Sequence, residues 1–600
     1  MGSPQEDKDL ESKVKNWLDW DKNEKSREEI SNLKASGNKE ELKKRLSARM
    51  EFGTAGLRAR MGTGFSMMND LTIIQTTQGL LKYLESACSD LKERGVVVGF
   101  DGRHNSRRFA WLTAAIFMHA GVKVYLFSNL CPTPYVAYGV RKFQGVCGVM
   151  VTASHNPKED NGYKVYGRNG AQIISPVDQH ISDQILANLE PWASSWNTDI
   201  VDTSPLRSDP LQETLVSYNK DVKELICFSS SGSDCPIKFT YTAMHGVGYE
   251  YVKVAMKAFS FSEPVPVKEQ VEPDPEFPTV KYPNPEEGKG ALLLAMKTAD
   301  EAGSPVILAN DPDADRLAVA EKVNGEWKIF TGNELGALFG WWAWFSFKHK
   351  NPNTTGSDVY MLASTVSSKI LGAIAKKEGF NFEETLTGFK WMGNRADELE
   401  ESKKTVLFAF EEAIGFMCGT KVLDKDGVSA LCAMAEMASY LYAKEKITLT
   451  KQLDNVYQKY GFHLSSNSYF ICHEQETIKQ LFDNLRNYKD SKEYPSSCGP
   501  YEIKYVRDLT TGYDNSFSDC KPRLPVSSSQ MITFTFKNGC VATLRTSGTE
   551  PKIKYYTEYC VDPTAGLERH EAEEELKDVV NNIRTHFFQP DKYGLIPQSG

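Results

Sequence analysis

An apolar run, Val146-Cys147-Gly148-Val149-Met150-Val151, breaks directly into Thr152-Ala153-Ser154-His155-Asn156-Pro157. The run predicts a buried strand, and the hexapeptide the loop at its carboxyl end, which is where open α/β sheets bind ligands. Asn156-Pro157 marks a turn, so Ser154 sits at the crest of a strand-to-loop transition. A serine there can act as a nucleophile if a base or phosphate chemistry lies nearby. It can equally be a turn residue or a helix N-cap. The other motifs of the chain decide between these readings, because they all suit phosphate.

The strand-then-polar-motif plan recurs. Val306–Ala309 runs into Asn310-Asp311-Pro312-Asp313-Ala314-Asp315-Arg316, and Val406–Phe410 runs into Glu411-Glu412-Ala413. Between these strands the periodicity predicts helices at 71–91, 107–119, 134–142, 211–225, 249–259 and 288–302. Such alternation argues for mostly parallel sheets covered by helices. From about residue 460 the pattern changes. Strands at 469–471, 531–536, 541–544 and 553–558 beside helices at 475–487 and 568–587 predict an α+β module with an antiparallel sheet. Tyr494–Pro525 reads as its least ordered, loop-rich part. A chain of 600 residues allows about four domains. The expected fold class is α/β: three α/β domains with mixed sheets plus a C-terminal α+β domain around a central cleft. The expected boundaries are a helical extension at 1–45, then domains at 46–210, 211–330, 331–455 and 456–600.

Composition narrows the function. A net charge of −9 gives no electrostatic footprint for nucleic acid, so any phosphate site is a local basic pocket in an acidic protein. None of the twelve cysteines has paired metal-ligand spacing, which predicts reduced core thiols in the cytosol. The longest apolar stretch, Gly336–Phe347, is too short to span a bilayer and reads as a core helix. No nucleic-acid or membrane partner is expected.

Three carboxylates at alternate positions, Asp311, Asp313 and Asp315, form a hard-oxygen set suited to Mg²⁺ or Ca²⁺. An EF-hand is excluded, because its sixth and twelfth positions would be Arg316 and Lys322. A solvated acidic turn is the plain alternative. A haloacid-dehalogenase-type nucleophilic Asp fits no spacing here. Arg545-Thr546-Ser547-Gly548-Thr549-Glu550-Pro551 combines an Arg, hydroxyls and backbone N–H groups around a glycine, which makes an anion nest. Gly53-Thr54-Ala55-Gly56-Leu57-Arg58 brings an Arg to a turn that permits close backbone approach. Glu411, with Thr387-Gly388-Phe389-Lys390 and Asp424-Lys425 nearby in sequence, offers sugar-hydroxyl acceptors and two cations. No nucleotide P-loop is present.

Taken in order, these motifs resemble those of the α-D-phosphohexomutase superfamily over nearly the whole chain after residue 45. Asp274-Pro275-Glu276-Phe277-Pro278 and Thr387-Gly388-Phe389-Lys390-Trp391-Met392-Gly393 are similar to its eukaryotic phosphoglucomutase-2 branch. That branch includes phosphopentomutase and glucose 1,6-bisphosphate synthase. The resemblance implies a phosphosugar mutase acting through a phosphoserine and a bisphosphate intermediate. It would interconvert ribose, deoxyribose or glucose 1-phosphate with the 5- or 6-phosphate. Glucose 1,6-bisphosphate synthesis from 1,3-bisphosphoglycerate and a non-catalytic sugar-phosphate sensor are the alternatives. In this resemblance Ser154 carries the phosphoryl group. Asp311, Asp313 and Asp315 hold Mg²⁺ with the serine phosphate. Lys164 serves as general acid/base, and Arg316 and His155 assist. Arg58 supports the phosphoserine side. Thr387, Lys390, Glu411 and Lys425 face the sugar, and Arg545, Ser547, Gly548 and Thr549 grip the phosphate that is not transferred. Glucose 1,6-bisphosphate or ribose 1,5-bisphosphate is the implied activator, and a monomer the implied state. The family's sugar loop usually reads Gly-Glu-Glu-Ser, whereas here it is Phe410-Glu411-Glu412-Ala413. The lost hydroxyl suits a pentose or a broader substrate range.

Overall fold

The computed structural model describes residues 4–53, 56–228, 234–547 and 551–598. The chain divides into two compact units: Met1–Thr331 with Phe389–Val406 and Ala413–Thr448, and Gly332–Gly388 with Leu407–Glu412 and Leu449–Gly600.

The first unit begins with three helices, Pro4–Trp20, Glu24–Ala35 and Lys39–Leu46. Asn23 and Asn38 cap the second and third through side-chain acceptance of first-turn N–H groups. Val14, Trp17, Ile30, Leu42 and Leu46 form a small core of their own that includes Phe65 and Leu71, so the expected extension is docked. Next comes a six-stranded sheet in the order Leu57–Arg60, Asp160–Tyr166, Cys147–Val151, Val96–Phe100, Val124–Leu126, Arg207–Ser208. Its last four strands are parallel, and Asp160–Tyr166 runs antiparallel to both of its neighbours, Cys147–Val151 and Leu57–Arg60. Val96–Phe100 and Cys147–Val151 are buried along their length, as parallel strands covered on both faces must be. A second sheet orders Glu326–Ile329, Ala318–Val323, Val306–Ala309, Phe239–Thr242 and Val265–Pro266. Val306–Ala309 and Phe239–Thr242 pair in parallel, whereas Ala318–Val323 runs antiparallel to Val306–Ala309.

In the second unit, helix Gly332–Lys350 is apolar around its circumference and mostly buried, as expected of a core helix. Val359–Ser364 pairs in parallel with Asn381–Thr385. The C-terminal sheet is mainly antiparallel and runs Ser497–Cys498, Tyr501–Asp508, Met531–Phe536, Cys540–Thr546, Lys552–Cys560, His463–Ile471, Ile596–Pro597. This corrects the reading of Tyr494–Pro525 as loop. Tyr501–Asp508 is an eight-residue strand whose even positions Glu502 and Lys504 are exposed while Ile503 and Tyr505 are half-buried. Val506 and Asp508 are buried instead, and the pairing with Met531–Phe536 shifts register between Ile503 and Tyr505, so no single alternation marks the strand. Among the described residues, no helix is long and apolar enough to cross a membrane. Cys147, Cys432 and Cys472 are buried thiols without disulfides.

Candidate active site

Ser154 follows strand Cys147–Val151, as the sequence predicts, and is buried. Its φ of 55° lies in the left-handed region, which a non-glycine residue occupies only when its surroundings enforce it. Those surroundings are visible. The Ser154 N–H donates to Thr152 Oγ1 at 2.8 Å, and Thr152 donates in turn to Asp101 Oδ2 at 2.6 Å. The buried Arg103 guanidinium donates to four carbonyls of the same loop, those of Ser154, Asn156, Pro157 and Asp160, at 2.6–3.2 Å. The serine Oγ lies 2.9 Å from Asp311 Oδ2 and 3.2 Å from His155 Nδ1.

Asp311, Asp313 and Asp315 follow strand Val306–Ala309, and their ligating oxygens lie within 4.8 Å of one another. Their loop is held from behind. Thr133 N–H donates to the carbonyl of Asp313, Val247 N–H to that of Pro312, and Gly427 N–H to that of Ala314. These three donors lie at the starts of helices Thr133–Lys142, Gly248–Ala258 and Gly427–Tyr440. Glycine is needed at 427, because a Cβ there would fall 2.3 Å from the Arg316 carbonyl oxygen. These bonds fix the backbone of the loop that carries the three carboxylates.

Lys164, on strand Asp160–Tyr166, donates to Asp313 Oδ2 at 2.7 Å and Asp315 Oδ2 at 2.9 Å. Burial alone would lower its pKa, but these two carboxylates outweigh it, and the ammonium is held above its ordinary value. Burial together with Asp313 and Asp315 pushes Asp311 well above the usual carboxylate range. Asp315 lies below that range, because Lys164, Lys425 and Arg316 overcome its burial. Burial, with Arg316 and Arg58 close by, pushes His155 well below its ordinary pKa, so its imidazole is neutral at pH 7. Asp313 Oδ1 and Asp315 Oδ1 are buried without hydrogen-bond partners among the described residues. Bare, buried carboxylate oxygens in a set without thiolate or imidazole fit a hard divalent cation such as Mg²⁺.

Arg58, Arg316 and Lys425 are near the same centre. Arg58 Nη1 donates to Asn156 Oδ1 at 3.2 Å. The turn before Arg58 depends on Gly56, whose φ is 73° and where a Cβ would lie 1.9 Å from the Tyr163 carbonyl oxygen. Arg316 Nη1 donates to the Ala413 carbonyl at 2.9 Å and lies 3.4 Å from Glu286. Lys425 Nζ lies 3.4 Å from Asp315 and from Asp424, so the structure sets it beside the acidic loop. Lys390 rests over the ring of Trp391.

The second unit carries a different group. Glu411 Oε1 accepts the Gly388 N–H, next to Thr387, at 2.5 Å. Glu412 accepts from Ser367 Oγ at 3.0 Å. Arg545, at the end of strand Cys540–Thr546, donates to Tyr556 Oη at 2.9 Å. Burial works against its charge, but Tyr556, Glu412 and Glu411 keep the guanidinium above its ordinary pKa. Ser547 N–H donates to the Lys552 carbonyl. Gly548 and Thr549 lie outside the described residues.

Asp101, Arg103 and Thr133 were not singled out from the sequence. For Asp101 and Arg103 a signal existed: Asp101-Gly102-Arg103 follows the buried strand Val96–Phe100 as Ser154 follows its own. Thr133, between Pro132 and Pro134, carries no comparable mark.

Comparison with known sequences agrees with this geometry. The phosphoglucomutase/phosphomannomutase α/β/α domains I, II and III match residues 49–191, 216–325 and 331–460. Human phosphopentomutase is 57% identical over 603 residues, covering 99% of this chain and 98% of the relative. Human glucose 1,6-bisphosphate synthase is 56% identical over 611 residues, covering 100% and 97%. Phosphoribomutase of Saccharomyces cerevisiae is 41% identical, covering 98% of each. The open-form crystal structure of Paramecium parafusin, a phosphoglucomutase, aligns with a TM-score of 0.68 at 18% identity, covering 92% of this chain and 98% of that one, and shares the fold. Fold, site and relatives together define an enzyme of the phosphosugar mutase class. The chain belongs to the phosphoglucomutase/phosphomannomutase family, within the α-D-phosphohexomutase superfamily.

Proposed function

We propose that this enzyme interconverts pentose 1- and 5-phosphates, and glucose 1- and 6-phosphates, through a phosphoserine at Ser154. Phosphoserine passes its phosphoryl group to a hydroxyl of the sugar monophosphate, giving a bisphosphate and free Ser154. After the bisphosphate turns end for end, Ser154 Oγ takes the other phosphoryl group and the isomeric monophosphate leaves. The observation that carries this reading is Ser154 Oγ at 2.9 Å from Asp311, beside two further buried carboxylates.

Asp311, Asp313 and Asp315 would hold Mg²⁺, which supplies positive charge at the transferring phosphoryl group. Arg316 adds charge there. Lys164, charged at neutral pH, neutralises the site and donates the proton the leaving oxygen needs. His155, neutral, accepts a hydrogen bond from Ser154 Oγ. Arg58 holds the phosphoserine loop. Thr387, Glu411, Lys390 and Lys425 orient the sugar, while Arg545, Ser547, Gly548 and Thr549 bind the phosphate that stays. A sugar bisphosphate primes the serine. The enzyme works on small phosphosugars as a cytosolic monomer. Relatives named phosphopentomutase and phosphoribomutase, and Ala413 in place of a hydroxyl residue, favour the pentose substrate.

The test is turnover of ribose 1-phosphate and of glucose 1-phosphate, each with and without added glucose 1,6-bisphosphate. Faster pentose turnover, stimulated by the bisphosphate, is expected. Bisphosphate formation from 1,3-bisphosphoglycerate that outpaces both mutase reactions would assign the synthase activity instead.

A further inference from the structure

Thr133 opens helix Thr133–Lys142 and is fully buried. Its N–H donates to the Asp313 carbonyl at 2.9 Å, and its hydroxyl donates to Asp313 Oδ2 at 2.5 Å. Lys164 Nζ donates to the same Oδ2 at 2.7 Å and lies 3.5 Å from Thr133 Oγ1. One oxygen of Asp313 therefore has two donors, while the other, Oδ1, is buried and has none among the described residues.

The two donors are not equivalent. Lys164 is a long side chain whose ammonium also serves Asp315, at 2.9 Å. Such a group neutralises charge but tolerates many carboxylate orientations. Thr133 is β-branched, stiff at χ1, and anchored by its own backbone hydrogen bond to the same residue. It also stands between Pro132 and Pro134, which restrict the backbone on both sides. Its hydroxyl thus fixes the plane of the Asp313 carboxylate and the direction of the bare oxygen.

We propose that Thr133 is a positioning residue for the cation site: it saturates Asp313 Oδ2 so that Oδ1 faces the metal. The proposal rests on the reading of Asp311, Asp313 and Asp315 as the metal ligands. Outer partners of ligating carboxylates change metal affinity by about 10–100-fold when removed.

The experiment titrates Mn²⁺ into full-length dephosphorylated protein and reads free Mn²⁺ by electron paramagnetic resonance. Wild type, Thr133→Val, Thr133→Ala, Thr133→Ser and Asp313→Asn are compared, with thermal unfolding followed in parallel. Wild type should bind saturably, and Asp313→Asn should lose that binding. Thr133→Val and Thr133→Ala should bind about tenfold more weakly or worse, and Thr133→Ser, which keeps the hydroxyl without the β-branch, should bind between these and wild type. In turnover, the Mg²⁺ concentration for half-maximal rate should rise in the Val variant while KM for the sugar phosphate stays unchanged. Wild-type Mn²⁺ affinity in a folded Val or Ala variant would overturn the proposal and leave the metal reading standing. Loss of folding in both, with Ser intact, would make Thr133 a structural residue and overturn it too. Absence of saturable Mn²⁺ binding in wild type, or its persistence in Asp313→Asn, would remove the metal reading itself, and the proposal with it.

Discussion

The Ser154 region and the Arg545 region both suit phosphate, yet they are built to different tolerances. Around Ser154 the central groups are buried and interlocked: Ser154, Asp311, Asp313, Asp315 and Lys164 are each at most 5% exposed. Arg103 and three helix starts hold the backbone behind them. Around Arg545 the side chains are half-buried: Arg545 donates to Tyr556, Glu411 accepts the Gly388 N–H, and Glu412 accepts from Ser367. The difference matches what each must do. Phosphoryl transfer gains most from charges fixed in place before the reaction. A loop that grips either end of a bisphosphate, as we propose for Arg545, gains from tolerance.

The sharpest way to break the comparison is at the serine. Ser154→Ala should lower mutase turnover by at least about 10⁴-fold with no change in fold, because nothing else in the site replaces the nucleophile. Turnover near the wild-type rate would end the assignment. Chelation comes next. Removing divalent cations should stop turnover and Mg²⁺ should restore it, while Zn²⁺ should substitute poorly at an all-carboxylate site. Full activity in chelated enzyme would show the acidic loop to be structural.

Arg545→Ala should cut turnover by about 10–100-fold, the size of a charge-assisted phosphate contact. It should spare the slow loss of phosphate from Ser154 to water, which needs no second phosphate. Equal damage to both rates would erase the division between the two regions. The smallest effect concerns stability in the second unit. Lys369 and Arg507 outweigh burial and hold Glu384 at about 2, below its ordinary 4.5. A depressed carboxylate stabilises the fold above its unfolded pKa and loses that contribution as pH falls towards the folded value. Glu384→Gln should therefore cost about 2–3 kcal/mol at pH 7, and the gap to wild type should narrow between pH 4.5 and 2. Urea unfolding at several pH values measures this, and a constant gap would mean the ion pairs contribute nothing.

How much was legible in the sequence follows from the range of the forces involved. Ser154, the Asp loop and Glu411 could be placed because a buried strand announces its end by a local change from apolar to polar. Helix Gly332–Lys350 was legible because it is apolar on every side. Arg103 shows its place after a buried strand but not its role, since its four carbonyl partners lie on a loop some fifty residues on and leave no local pattern. Thr133 was invisible for the same reason: its partner Asp313 is 180 residues away. Lys425 takes its sugar role from the family resemblance, and nothing local in the sequence shows that its ammonium also lies beside Asp315. Strand Tyr501–Asp508 was lost among charges, because a half-exposed strand looks polar until its partner Met531–Phe536 is known.

The central claim is that Ser154 carries the phosphoryl group. The direct measurement is the intact mass of the purified protein, followed by mapping of the modified peptide. The account predicts an adduct of one phosphoryl group on the peptide containing Ser154, lost on incubation with excess sugar monophosphate and absent in Ser154→Ala. A protein that turns over substrate while its Ser154 peptide stays unmodified, or that bears the adduct at another residue, would contradict it.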